Sequence, residues 1–229
     1  KIKHVKGRQV FDSRGIPTIE AEIILENGLV ERSIVPSGAS TGRYEAYELR
    51  DKNKNYLNKS VFDAVNNINN IISKALIGKN SVHQREIDKV LIDLDATENK
   101  SNIGANAILA VSIANLKVAA KSSNKEIYRY MNNKTNSTFS MPYPLMNIIN
   151  GGVHANNSLE IQEFMIRPDG AKSFEECMQM SFLIIQNLKK NLEDKNISTS
   201  VGDEGGFAPS LGSDEEAIET IMKSISLAG

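Results

Sequence analysis

The sequence predicts two domains, an α+β domain over residues 1–137 and an α/β domain over residues 138–229. Three observations lead to this prediction. A strand, turn and strand pattern near the N-terminus is followed by segments with helical periodicity, which is typical of α+β folds. A polar stretch followed by prolines lies near residue 138. Beyond that stretch, strands are followed by long helices, which is typical of α/β folds.

Composition and charge exclude several classes of protein. The chain is 40% hydrophobic and 24% charged, which excludes a disordered, collagen-like or membrane-spanning protein. Its 27 Lys and Arg against 28 Asp and Glu leave no basic surplus for direct nucleic-acid binding. The single Cys177 forms no intramolecular disulfide, and Lys1–Arg8 lack the apolar core of a signal peptide. We therefore expect a cytoplasmic protein without a transmembrane segment.

The first domain is predicted from one hairpin and three helical patterns. Residues 16–35 alternate in hydrophobicity about Asn27-Gly28, which is the strongest short hairpin signal. Apolar residues recur at helical spacing in three later segments: Val61 to Ile72, Ile87 to Leu94, and Gly104 to Ala120. The last of these is apolar almost all round, so we expect a helix enclosed by protein.

The second domain is predicted to begin after the polar residues 132–140. The expected order is strand Leu145–Ile149, strand Ile161–Ile166, helix Phe174–Leu192, short strand Ser198–Val201 and helix Asp214–Leu227. Capping boxes open both helices, Ser173 with Glu176 and Ser213 with Glu216. This order fits an α/β barrel or a doubly wound sheet. Because a closed barrel takes roughly 250 residues, a barrel in this domain is expected to be incomplete.

Three loops contain residue types that carry chemistry. Residues 37–42 combine two glycines with three hydroxyls, which suits an anion or a metal-bound phosphate, although a flexible turn is the alternative. Residues 150–157 place His154 after a strand, either in a lid or simply in solvent. Residues 201–209 place Asp203 and Glu204 between glycines, where an acidic turn is the alternative.

An acidic side chain also interrupts the strand predicted over residues 161–166. Glu163 shares one face with Ile161 and Met165, and it requires a partner there. A salt bridge at a barrel rim would satisfy it. If Glu204 faces Glu163, the two carboxylates repel each other, which raises a pKa and allows one of them to act as a general acid.

Taken together and in this order, five segments resemble the enolase family. They are DSRGIPTIE (12–20), VPSGASTGRYEAYELRD (35–51), IGANAILAVSIA (103–114), NIINGGVHANNSLEIQEFMI (147–166) and VGDEGGFAPS (201–210). The resemblance implies an α+β N-terminal capping domain followed by the start of a TIM-type barrel of ββαα(βα)₆ order. The implied reaction is reversible dehydration of 2-phospho-D-glycerate to phosphoenolpyruvate, with Mg²⁺ as cofactor and a homodimer or higher homo-oligomer as the assembly.

The resemblance also implies roles for individual residues. In the second domain, Glu204 corresponds to the general acid and Glu163 to the acid that assists it. Gln162 corresponds to a residue that contacts the substrate or its metal-bound water, and His154 to the loop histidine that closes over the phosphate. In the first domain, Ser40 corresponds to a magnesium ligand, and Ser37, Gly38 and Ala39 to the hinge of a substrate-binding loop. Arg14 corresponds to a structural position near the subunit contact.

The chain departs from the family because it stops at Gly229. We expect the catalytic Lys, the ligands of the first magnesium and the phosphate-binding residues to be missing, so that the 229-residue chain alone is inactive. The alternative to an enzyme is an inactive fragment or a surface interaction protein, since members of the family also bind plasminogen at cell surfaces. A C-terminal lysine is the usual contact with plasminogen, and Gly229 does not provide one.

Overall fold

A computed structural model describes residues 1–36, 38, 41–52, 54–132 and 138–229. The expectations for Ser37, Ala39 and Ser40, and for the middle of the polar stretch over residues 132–140, lie outside these residues. The chain divides into two compact units, Lys1–Ser137 and Thr138–Gly229. In the described residues, no helix has both the length and the apolar character that crossing a membrane requires.

An antiparallel three-stranded sheet in the order β1-β2-β3 begins the N-terminal unit. Its strands are β1 (Ile2–Phe11), β2 (Pro17–Leu25) and β3 (Val30–Val35), followed by a 3-10 segment over Asn55–Asn58. The helices are α1 (Phe62–Asn67), a π-helical segment (Ile68–Ile72), α2 (Ser73–Leu76), α3 (Gln84–Asp95), α4 (Ala105–Ser122) and α5 (Ile127–Asn132). The hairpin and the three helical patterns that the sequence predicted are therefore present.

The core of this unit lies between the sheet and the helices. Ile19, Ala21 and Ile23 on the buried face of β2 are fully inaccessible to solvent. The enclosed helix α4 packs against β2 and β3, as its apolar sequence predicts. This packing removes the inner face of the sheet from water, which is the dominant stabilisation of such a layer.

The sequence did not reveal β1. Its pairing with β2 contains an irregularity between Ile2 and His4, so burial does not alternate along it. Gly7 allows a close approach in this strand, where an added Cβ would lie 3.0 Å from the Ile68 side chain. The Asn69 side chain accepts a hydrogen bond from the Gly7 N–H at 2.8 Å and donates one to the Gly7 carbonyl at 3.1 Å. Contacts from the π-helical segment therefore fix a strand that has no local signature.

The turn between β1 and β2 depends on Asp12. Its Oδ1 accepts hydrogen bonds from the N–H groups of Arg14 at 2.8 Å and Ile16 at 2.9 Å, and Gly15 takes a left-handed φ of +71°. Asp12 also pairs with the Arg14 guanidinium at 3.5 Å. These contacts give Arg14 a structural role in the turn.

A buried carboxylate, Asp95, organises the loop between α3 and α4. Its Oδ2 accepts hydrogen bonds from the N–H groups of Asn102 at 3.0 Å and Ile103 at 2.7 Å, and its Oδ1 accepts one from Thr97 at 3.0 Å. Burial opposes ionisation of Asp95, but the hydrogen bonds from Ile103, Thr97 and Asn102 outweigh it, so the pKa of Asp95 lies below its ordinary value.

Asp95→Asn is expected to destabilise the N-terminal unit by about 2 kcal/mol near neutral pH, because backbone N–H groups lose a charged acceptor. A lowered pKa in the folded state stabilises that state above the unfolded value of about 3.9. This contribution is lost as the pH falls through the folded pKa, so parent and variant converge at pH values below that pKa. Urea unfolding, followed through the amide resonances of β2, measures the difference. Asp93→Asn is the control, since that exposed carboxylate pairs with Lys89 on the helix surface. Equal effects of the two variants would contradict this role of Asp95.

The C-terminal unit begins with an antiparallel pair of strands covered by two helices. The elements are β4 (Met146–Asn150), a 3-10 turn (Gly152–His154), β5 (Glu163–Ile166), α6 (Phe174–Asp194) and α7 (Asp214–Ala228). Ile149, Phe164, Leu188 and Ala217 represent its apolar core. In the predicted capping boxes, Ser173 and Ser213 accept the N–H groups of Glu176 and Glu216. The two Glu side chains accept instead from the residues before each serine, Lys172 at 2.6 Å and Gly212 at 2.7 Å.

Two strand predictions in this unit are wrong in detail. The second strand begins at Glu163 and not at Ile161, because Leu159 and Gln162 use their carbonyl groups to accept the N–H groups of Gly152 and Gly151. No strand forms over Ser198–Val201, where Val201 makes an isolated bridge to Phe207. Phe207 is also the residue that bridges to β4, in parallel with Ile149. The alternation from Glu163 to Ile166 follows the prediction, with Phe164 and Ile166 buried.

Candidate active site

The loop that leaves β4 folds back onto the start of β5. The Gly151 N–H donates to the Gln162 carbonyl at 3.0 Å, and the Gly152 N–H donates to the Leu159 carbonyl at 2.8 Å. A Cβ on Gly151 would lie only 2.6 Å from the Leu159 Cβ, so only glycine permits this approach. Gly152 has a left-handed φ of +52°. The glycine pair therefore turns the chain sharply just before the buried His154.

His154 ends this turn in the interior of the unit. Its side chain is 5% exposed, although the polar sequence around it left solvent as an alternative. Its N–H donates to the Gly151 carbonyl at 3.0 Å, and its carbonyl accepts from the Asp203 N–H at 3.2 Å. Both ring nitrogens are buried without a hydrogen-bond partner among the described residues. Polar atoms without a hydrogen-bond partner are rare in protein interiors. Their presence here indicates that the ring nitrogens bind a ligand, a proton or water.

Two carboxylates lie beside the His154 ring. The Oε1 of Glu163 is 3.7 Å from the His154 Nδ1, and the Oε1 of Glu204 is 3.9 Å from the same atom. The three side chains offer ligand atoms within 4.8 Å of one another. The carboxylates remain accessible, with side-chain exposures of 39% for Glu163 and 41% for Glu204. A buried base therefore meets two reachable acids, an arrangement suited to holding and transferring protons.

Glu204 reaches this position on a closed turn, the segment over residues 201–207. The Gly202 N–H donates to the Gly206 carbonyl at 2.8 Å, and the Gly205 N–H donates to the Gly202 carbonyl at 3.1 Å. Gly205 takes a left-handed φ of +85°. The Phe207 N–H then donates to the Ile148 carbonyl at 2.9 Å, which attaches the segment to β4. The glycines thus close the turn that carries Glu204.

The structure brings together some of the predicted site residues but not all of them. His154, Glu163 and Glu204 form one cluster. Gln162 lies next to it, where its carbonyl accepts from Gly151 and its side chain packs near Gly152. Gly38 is exposed and belongs to the N-terminal unit.

Two asparagines in the site received no role from the sequence. Asn150 is fully buried at the end of β4. Asn157 donates through Nδ2 to the carbonyls of Asn150 at 2.9 Å and Pro209 at 3.1 Å, which ties the two loops together. The sequence does show a polar residue, Asn150, at the end of the apolar run of β4. Its role becomes visible only when the residues that pack against it are known.

The imidazole nitrogens and carboxylate oxygens of the cluster are better suited to binding a proton or a transition metal than to binding magnesium. Unpaired imidazole nitrogens and carboxylates could hold a divalent ion, but Mg²⁺ prefers oxygen ligands and binds imidazole poorly. The cluster therefore does not fit as a magnesium ligand set. Ser40 is the residue of this chain for which the family resemblance implies binding of that ion, and it lies outside the described residues.

Comparisons with known proteins cover both units. The family described as enolase, N-terminal domain, matches residues 2–131, and the family described as enolase, C-terminal TIM barrel domain, matches residues 138–229. The chain is 56% identical, over 230 aligned positions, to the enolase of Pelagibacter ubique (strain HTCC1062). This match includes 100% of the chain but only 54% of that relative, so the chain spans about half its length. The chain therefore belongs to the enolase family, and it contains the family's N-terminal domain and the start of its TIM barrel.

Proposed function

We propose that this chain contributes part of the active site of an enzyme that reversibly dehydrates 2-phospho-D-glycerate to phosphoenolpyruvate. The observation that carries the proposal is the cluster of His154, Glu163 and Glu204 in a member of the enolase family. Removal of a hydroxyl group requires an acid to protonate it as it leaves. The two reachable carboxylates beside a buried imidazole are suited to that step.

Each residue of the cluster has a separate task in this proposal. Glu204 protonates the 3-hydroxyl of the substrate as the carbon–oxygen bond breaks, so that water is the leaving group. Glu163 assists by sharing the proton with Glu204. His154 contacts the phosphate end of the substrate, and Gln162 contacts the substrate or bound water. Removal of the C2 proton needs a base that lies outside this chain's residues.

We propose Mg²⁺ as the cofactor and Ser40 as a ligand, with Ser37, Gly38 and Ala39 as the hinge of the loop that delivers it. When bound, the ion stabilises the negative charge that develops on the substrate carboxylate. The remaining ligands would come from barrel residues beyond Gly229. By themselves, the 229 residues are therefore proposed to be inactive.

The proposed location, assembly and domain roles are those of the enolase family. We propose a cytoplasmic protein that acts as a homodimer or a larger homo-oligomer, with residues 1–137 as the capping domain and residues 138–229 as the start of the barrel. Among the described residues, β5 pairs only with β4, so its other edge is available to a further strand. An apolar cleft of about 590 Å³ beside β5, lined by Met165, Ile166 and Ile221 among others, supports an unfinished barrel at this edge.

A chimera tests the proposal. In it, residues 1–229 of this chain are followed by the part of the Pelagibacter ubique enolase that lies beyond the matched region. We expect the chimera to form phosphoenolpyruvate in the presence of Mg²⁺ at more than roughly 1 s⁻¹, a rate ordinary for enzymes, while the 229-residue chain forms none. The ultraviolet absorbance of phosphoenolpyruvate gives the rate. A folded chimera without turnover, beside an active relative, would contradict the proposal.

A further inference from the structure

We propose that Asn150 is a positioning residue for Glu204. Its side-chain amide holds the segment over residues 201–207 against the end of β4, which keeps the Glu204 carboxylate beside His154. The consequence for catalysis rests on the function proposed above, whereas the contact between Asn150 and the segment does not.

Hydrogen bonds fix Asn150 itself. It is 0% exposed, and its backbone N–H donates to the Phe207 carbonyl at 2.8 Å. Its carbonyl accepts from the Asn157 Nδ2 at 2.9 Å, and its Oδ1 accepts from the Asn147 Nδ2 at 2.9 Å. These hydrogen bonds hold Asn150 in place at the end of β4, from the strand itself and from the loop that follows it.

Two glycines of the segment lie directly against this amide. A Cβ on Gly202 would lie 2.9 Å from the Asn150 Nδ2 and 3.0 Å from the Asn150 Cβ. A Cβ on Gly206 would meet the Asn150 Oδ1 at even closer range. The amide thus lies against both of the residues whose hydrogen bond closes the turn that carries Glu204. Movement of the amide would move the base of that turn.

The same amide includes an unpaired donor. The Asn150 Nδ2 is buried without a hydrogen-bond partner among the described residues. An unpaired buried donor lowers stability, so stability does not explain an amide at this position. The close contact with the glycine-flanked turn does explain it, because small displacements of a catalytic group reduce the rate strongly.

The test compares two variants at this position with a matched control. Asn150→Ala removes the amide, and Asn150→Asp keeps its volume and its acceptor. Asn191→Ala removes another buried amide of the same unit, one that donates from α6 to Ser224 of α7. Amide hydrogen exchange is measured in the 229-residue chain, and kinetics are measured in the chimera.

We expect Asn150→Ala to speed exchange of the Gly202 and Phe207 amides at least about 10-fold relative to the Leu188 amide of α6. In the chimera, kcat is expected to fall about 10- to 100-fold with little change in KM. Asn150→Asp is expected to preserve slow exchange and to shift the acidic limb of the pH–rate profile upward, because an added carboxylate raises the pKa of neighbouring acids.

Three results would overturn the positioning role. The first is that Asn150→Ala and Asn191→Ala change the amide exchange rates of the segment equally. The second is that Asn150→Ala leaves those rates unchanged. The third is that both Asn150 variants keep the parent's kcat and the parent's pH–rate profile. An inactive parent chimera would instead overturn the proposed function. In that case exchange in the 229-residue chain would still decide whether Asn150 holds the segment.

Discussion

Glu204→Gln in the chimera is expected to lower kcat about 10³-fold, within the range that a general acid contributes. The carboxamide keeps the size of the side chain and its place on the 201–207 segment, but it has no proton to deliver to the departing hydroxyl. KM is expected to change little, because the lost interaction belongs to the transition state and not to substrate binding. Steady-state kinetics with 2-phospho-D-glycerate measure both quantities.

Neighbouring carboxylates provide the comparison for Glu204. Glu163→Gln is expected to lower kcat about 10²-fold, since that residue assists the proton transfer without donating to the hydroxyl. Glu160→Gln is the matched control, because this exposed glutamate lies just before β5 and outside the cluster. If Glu204→Gln retained more than about a tenth of the parent rate, Glu204 would not be the general acid.

Gly206→Ala is expected to destabilise the C-terminal unit by about 3 kcal/mol. Its new Cβ would lie 2.8 Å from the Ile148 carbonyl carbon and 2.9 Å from the Ile149 nitrogen, and it would also meet the Asn150 side chain. These are backbone atoms of β4 in the core of the unit, so they cannot move aside as the end of a flexible side chain can. Urea unfolding, followed through the amide resonances of α6, measures the loss.

Two other glycines separate this steric effect from backbone strain. Gly205→Ala meets nothing within 4 Å but requires a φ of +85°, so about 1 kcal/mol is expected. Gly170→Ala meets nothing within 4 Å and has no positive φ, so its effect is expected to stay within about 0.5 kcal/mol. If Gly206→Ala were as mild as Gly170→Ala, the 201–207 segment would not be packed tightly against β4.

Local patterns were enough to predict most elements of the fold. The Asn27-Gly28 turn predicted the hairpin of β2 and β3, and apolar spacing predicted α3 and α4, because these signals depend on neighbours in the chain. The strand β1 was missed because its pairing with β2 is irregular near Ile2 and because its Gly7 is held by contacts with the distant Ile68 and Asn69. Likewise, the strand expected over Ser198–Val201 is absent because the chain closes into the 201–207 turn and pairs through Phe207.

The candidate site, too, was predictable in part from the sequence and in part only from the structure. The residue types and glycine-rich loops were visible in the sequence, since glycine beside an acid or a histidine is a local feature. The burial of both His154 nitrogens and the distances of 3.7 and 3.9 Å to Glu163 and Glu204 were not visible. They arise where two loops from different parts of the chain meet at the end of β4.

The sequence by itself therefore determined the fold class, the family and the side chains that can carry chemistry. These depend on composition, periodicity and ordered motifs along one chain. Only the tertiary structure decided which side chains meet, that His154 is buried, and that Asn150 lies against Gly202 and Gly206. The physical reason is that a site is made of contacts between residues distant in sequence, and packing in three dimensions sets those contacts.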